Sequence, residues 1–165
     1  MTKYYVTEGS LKLRHVGILE LGDFYTWLQR WFDFEMSWEN SNEKFYEEVI
    51  LPTGDAKNIE MQWKVEKQET NYFKYVMTLD FTFIAVSDTE IQIEGKRKKA
   101  QKGDYEIRIN SYLETKTDDL NQVLRLVLEN ILLRKRIETQ RTLLFEKVKS
   151  LHENIKNIFK QYEVS

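Results

Sequence analysis

His15 and His152 are the only imidazoles in this chain. An imidazole titrates near neutral pH and serves as a general acid/base or a metal ligand, and either role needs carboxylates or further ligands close by. The two are far apart in sequence and neither is flanked by acids at ligand spacing, so both read as surface or satisfied structural residues. Glu47-Glu48 and Asp118-Asp119 are adjacent acids that would suit proton transfer if they converged. Neighbours on a strand point to opposite faces, however, and Asp118 has a sufficient role as a helix cap. No side chain is assigned to catalysis or to a metal, and the sequence predicts a non-enzymatic protein without a cofactor.

The densest charge is Lys96-Arg97-Lys98-Lys99, followed by Lys102 and closed by Gly103-Asp104. On a projecting hairpin loop these cations would neutralise the phosphates of a nucleic acid or meet an anionic surface, with no base readout implied. Lysine-rich tips also keep hairpins soluble and unpaired. Arg134-Lys135-Arg136 is a second basic spot, which strengthens the polyanion reading if both share one surface. With 25 basic and 27 acidic residues the formal net charge is −2, so any such binding must be local. Trp27, Trp31, Trp38 and Trp63 either line a ligand cavity or are the large members of a core.

Several function classes find no footing. The chain has no glycine-rich phosphate loop, no two-histidine zinc helix and no nucleophile elbow. The absence of cysteine removes disulfides, thiolate chemistry and cysteine-based metal sites, and fits a reducing cytosol. Met1-Thr2-Lys3-Tyr4-Tyr5 shows no secretory pattern, and the apolar concentration from Leu120 to Leu133 is interrupted by Arg125, Glu129 and Asn130 and is too short to span a bilayer. The expectation is a cytoplasmic protein whose 165 residues form one domain.

The elements that would position these residues follow from periodicity. Ile59, Met61, Trp63 and Val65 alternate with polar residues, as do Phe73, Tyr75, Met77, Leu79, Phe81 and Phe83, and again Tyr105, Ile107, Ile109 and Leu113. Alternation with one wet and one packed side predicts an antiparallel sheet. The wet side would carry Glu60, Lys64, Glu66, Lys74, Asp80, Glu90, Glu94, Glu106 and Arg108, which serve either as cross-strand ion pairs or as a docking surface.

A first strand is expected over Tyr4–Leu13 with Gly9 as a break, and Gly17 and Gly22 bracket the approach to a helix capped by Asp23. Leu21, Phe24, Leu28, Trp31 and Phe32 recur at helical spacing, leaving Gln29, Arg30 and Asp33 toward water. Phe34, Met36 and Trp38 suggest a strand before a turn at Asn40-Ser41-Asn42, and another strand spans Lys44–Leu51. Turns are expected at Pro52-Thr53-Gly54-Asp55, Glu69-Thr70-Asn71 and Ser87-Asp88, with a short strand through Ile91 and Ile93.

Thr117 or Asp118 opens a C-terminal helical segment reaching Tyr162, without glycine or proline. Its first part is apolar on most sides (Leu120, Val123, Leu124, Leu126, Val127, Leu128 and Ile131 to Leu133), as expected of a helix buried against the sheet. Farther on, Ile137, Leu144, Val148, Leu151, Ile155, Ile158 and Tyr162 form a heptad seam in which Arg134 and Arg141 occupy two further positions. Such a seam is expected to bury its apolar edge against another subunit, as an oligomerisation arm, or, failing that, against the chain's own sheet.

The expected fold class is α+β: a curved antiparallel meander packed on helices, ending in a long C-terminal helical segment. This arrangement resembles the helix-grip topology of START-like lipid-binding proteins, where a cavity lies between helix and sheet. That resemblance implies a lipid or small-ligand carrier, with Trp63, Phe81 and Tyr105 bordering its cavity, although rings of this size are expected to close the space. Ile59–Glu66, Tyr72-Phe73-Lys74-Tyr75 and Lys102–Ile107, ahead of a two-part helix, are also similar to a group of uncharacterised small archaeal proteins. The leading expectation is an assembly protein that self-associates through Ile137–Tyr162. A nucleic-acid or anionic-surface module using Lys96–Lys102 and a carrier of a hydrophobic ligand are the alternatives.

Overall fold

The computed structural model describes residues 2–7, 9–35, 39–52, 54–115, 122–127 and 134–162. Six strands form one antiparallel sheet: β1 (Thr2–Tyr5), β2 (Leu11–Leu19), β3 (Glu39–Ile50), β4 (Lys57–Gln68), β5 (Phe73–Ile93) and β6 (Lys96–Thr115). Helix α1 (Leu21–Arg30) links β2 to β3, and α2 (Gln122–Val127) and α3 (Arg134–Gln161) follow β6. The meander β3-β4-β5-β6 continues onto β1 and β2, which lie end to end along the same edge of β6. The α+β class is as expected.

The alternating residues fall where their period places them. Ile59, Trp63, Val65, Tyr75, Leu79, Phe81, Phe83, Tyr105, Ile107, Ile109 and Leu113 are all buried. They share one core with Phe24, Leu28, Trp31 and Phe32 from α1 and the turn that follows it, and with Leu144, Leu151, Ile155 and Phe159 from α3. Helix α3 runs for about 42 Å at 1.5 Å per residue, packing over β6, β2 and β5. The opposite sheet face is solvated and laced by ion pairs such as Lys74–Glu66 at 2.8 Å and the forked Arg14–Asp104 pair at 3.0 and 2.7 Å. Lys74–Glu66 and Lys12–Glu106 pair across strands, whereas Lys64–Glu66 and Arg108–Glu106 pair along one strand.

Local expectations fail at identifiable places. The first strand does break at Gly9 (φ 75), but its second half runs on to Leu19, with Gly17 inside β2 opposite Gly103. The cap position of α1 belongs to Glu20, and Asp23 sits in the first helical turn, where an anion suits the positive end of the helix. Trp31–Glu35 continues as a π-helical turn, so Phe34 is not in a strand, and Met36 and Trp38 lie outside the described residues. Asn40-Ser41-Asn42 lies within β3, where a register shift takes the place of a reversal.

Ser87-Asp88 is likewise no turn: β5 runs straight through it. The chain reverses at Glu94-Gly95, where φ values of 51° and 77° give the two left-handed residues of a type I′ hairpin. The basic run is consequently strand, with Lys99 opposite Glu90 and Arg97 opposite Gln92. Residues beyond Val86 on β5 have no partner on β4, so Ser87–Ile93 and Lys96–Ala100 form a two-stranded arm.

The apolar opening of the C-terminal segment also departs from expectation, since Val123, Leu124 and Val127 of α2 are exposed. A helix apolar all round cannot bury every side against a single sheet. Thr117, Asp118, Leu120 and 128–133 lie outside the described residues. Among the described residues, no helix is long and apolar enough to cross a membrane.

Candidate functional site

The proposed sites of the sequence are spread across the molecule. The seam residues Ile137, Leu144, Val148, Leu151 and Ile155 are buried in the chain's own core, and Ile158 and Tyr162 pack against it. Arg141 is half-buried and donates to the Tyr5 carbonyl at 2.9 Å, tying α3 to β1, while Arg134 is exposed.

Two of the basic residues on the arm are already engaged. Arg97 lies 3.9 Å from Glu90, and Lys98 lies 3.6 Å from both Glu20 and Asp23. Among the described residues, Lys96, Lys99 and Lys102 have no ion-pair partner. The second basic spot is elsewhere: Lys135 and Arg136 flank a recess with Thr70, Tyr72 and Phe73, at the start of β5, whereas the arm is at its end. The two spots do not form one surface.

Aromatic side chains pack together on the buried face of the sheet. Trp63, Phe81, Phe83 and Tyr105 form an edge-to-face ladder with centroids 5.0 to 5.9 Å apart, and Tyr25 of α1 caps it on Trp63 at 5.0 Å. Rings in mutual contact at these distances pack as the large members of a core do. His15 is buried, stacked on Phe159 and Tyr105, and its Nε2 donates to the Ile18 carbonyl at 2.9 Å. It is a satisfied core residue. His152 is half-buried beside Glu153.

An open groove of about 560 Å³ lies at the arm end of the sheet, where the aromatic ladder stops. Ile59, Met61 and Val86 line it with Leu21 and Tyr25 of α1, while Tyr46, Lys57, Asp88 and Gln101 supply polar groups. A β-bulge builds one wall. Between Ile84 and Ser87, β5 advances three residues against two on β6, with Ala85 at φ 55. One extra residue inverts the alternation, so Val86 and Asp88 line the groove although odd-numbered residues face the core up to Phe83. Asn58 accepts the Ala85 N–H at 2.9 Å, and Gly103 gives the bulge room: a Cβ there would stand 3.2 Å from the Ile84 carbonyl oxygen.

A polar recess of about 250 Å³ adjoins the groove, sharing Leu21, Gly22 and Gln101 with it and adding Glu20, Asp23, Lys98 and Lys99. Glu20 is 6% exposed, and its Oε1 is buried without a hydrogen-bond partner. Its carboxyl is held above the usual carboxylate range by a hydrogen bond shared with Asp23, by burial and by the Asp23 charge, with Lys98 opposing. Asp23 is correspondingly lowered. At the other end of the groove Tyr46 hydrogen-bonds Glu48, which Lys57 also meets at 3.0 Å, and both hold that carboxyl below its ordinary value.

Glu20 is hidden in the sequence because its neighbour Asp23 fits a capping role, and the bulge is hidden because Ser-Asp has the composition of a turn. Among the described residues no three potential metal ligands gather. No family model matches the chain, and no curated protein and no solved structure matches it.

Proposed function

We propose that this chain is a non-catalytic binding protein that seats a small amphipathic molecule between α1 and the arm end of the sheet. The observation that carries the reading is the unfilled groove itself, an apolar floor of Ile59, Met61 and Val86 beside a buried carboxyl with an unsatisfied oxygen. Its size falls in the range of about 300–1,000 Å³ typical of small-ligand sites, and its mixture of apolar lining with a few converging polar groups is the usual composition. The residue at φ 55 adds support, because backbone strain is kept where the surroundings require it. The helix-grip resemblance points the same way, with the ligand at the mouth rather than under the sheet.

Self-association and polyanion binding draw less support. The heptad seam is already occupied inside the chain, and the basic residues are divided between two ends and partly paired. A saturable one-to-one titration with a fluorescent alkyl probe, followed by tryptophan emission, tests the groove. Thr26→Trp, on the exposed side of α1, should abolish that binding while leaving the fold intact. Equal binding by this variant, or none by the wild type, sinks the reading.

A further inference from the structure

We infer that the ligand of this groove carries a primary ammonium group, received by Glu20 and Asp23 in the recess between α1 and the arm. The inference rests on the groove being a ligand site and specifies the chemistry of its polar end. Three observations converge. Glu20 is more than nine-tenths buried yet leaves Oε1 without a partner, a costly state for a buried acceptor. The recess it lines adjoins the apolar groove, the two sharing Leu21, Gly22 and Gln101 in their walls, with the Leu21 N–H donating to Gln101 Oε1 at 3.0 Å. An ammonium already stands there, since the Lys98 Nζ lies 3.6 Å from Glu20 and 3.6 Å from Asp23.

Those distances place Lys98 within ion-pairing range but beyond a good hydrogen bond. Two carboxylates thus share one loosely held cation. A ligand ammonium supplies a second positive charge to the Glu20–Asp23 pair and donates to the Glu20 carboxyl. The groups facing Glu20 are Asp23 on α1, Lys98 and Lys99 on β6 and Tyr162 on α3. Lys98 is half exposed on the arm and is free to swing toward solvent as the ligand enters.

The experiment compares n-octylamine, n-octanol and n-octanoate binding to the full chain by calorimetry. Octylamine should bind about tenfold or more tightly than octanol, the usual advantage of a charge-assisted hydrogen bond. Glu20→Gln and, separately, Asp23→Asn should reduce it toward the octanol value. Lys98→Met should tighten octylamine by removing a competing cation. Affinity for octylamine should also rise with pH as Glu20 loses its proton, while that for octanol stays level. Equal binding of all three with no effect of Glu20→Gln overturns the ammonium assignment and leaves the groove standing. Preference for octanoate, weakened by Lys98→Met, overturns it in favour of an anion site. Binding of none overturns the groove and the ammonium together.

Discussion

His15 of β2 stacks on Phe159 of α3 with ring centroids 5.2 Å apart and 22° between the planes, fastening the last turns of the long helix to the sheet edge. Phe24 of α1 tilts against the same ring at 5.8 Å, so one side chain joins the two helices to β2. Phe159→Ala should therefore destabilise the fold by about 3–5 kcal/mol, the ordinary cost of deleting a buried phenylalanine. Urea denaturation followed by tryptophan emission measures this. Leu151, fully buried on the same helix, makes a sharper test, because Leu151→Asp puts an unpaired carboxylate into the core and should unfold the chain. A folded Leu151→Asp protein that had merely changed oligomeric state would mean that the seam faces another subunit.

The bulge wall of the groove depends on Gly103. A methyl there would meet the Val86 Cγ2 at 3.1 Å, the Ile84 carbonyl oxygen at 3.2 Å and the Val86 Cα at 3.3 Å, so the β5 backbone as well as a side chain must give by a few tenths of an ångström. Gly103→Ala should cost about 1–3 kcal/mol, as overpacking usually does, and should weaken alkyl-probe binding as Val86 is displaced. Wild-type stability with unchanged binding would show that the bulge adjusts freely.

The sheet is legible in the sequence because its signal is periodic over long spans: every second residue from Ile59 to Val65 and from Phe73 to Phe83 is apolar, and each such residue is buried. The groove is not, since it arises where that period fails. One inserted residue at Ala85 inverts the faces of Val86 and Asp88, and a bulge leaves no composition mark distinct from a turn. Glu20 and Lys98 stand 78 positions apart and meet only through the β2–β6 pairing, a tertiary fact that local pattern does not carry. The heptad seam is real as a pattern, but a stripe that fits a second helix fits a sheet equally well.

Stability should depend on pH with opposite signs on the two sides of its maximum. Glu66, Asp104 and Glu106 are lowered chiefly by hydrogen bonds to Lys74, Arg14 and Arg108. Their contribution is present above the unfolded carboxylate values near pH 4 and diminishes to nothing as pH falls through the folded ones. Glu20 is raised, so its contribution is complete below its unfolded value and disappears as pH rises through the folded one. Glu20→Gln keeps the hydrogen bond to Asp23 and should flatten only the decline toward neutral pH. An unchanged slope on that side would show that Glu20 is ionised in the folded chain.

The arm offers a separate test of polyanion binding. Lys98 is committed to Glu20 and Asp23, and Arg97 approaches Glu90, which leaves Lys96, Lys99 and Lys102 as the cations available to phosphates. If the arm binds nucleic acid or anionic lipid, Lys96→Glu with Lys99→Glu should elute earlier from heparin and lower the salt slope by roughly one for each phosphate no longer neutralised. Thermal stability should stay within about 0.5 kcal/mol of wild type, as is usual for exposed substitutions away from special features. Wild-type protein that passes through heparin unretained at low salt would show that these lysines only keep the exposed hairpin from pairing with other chains.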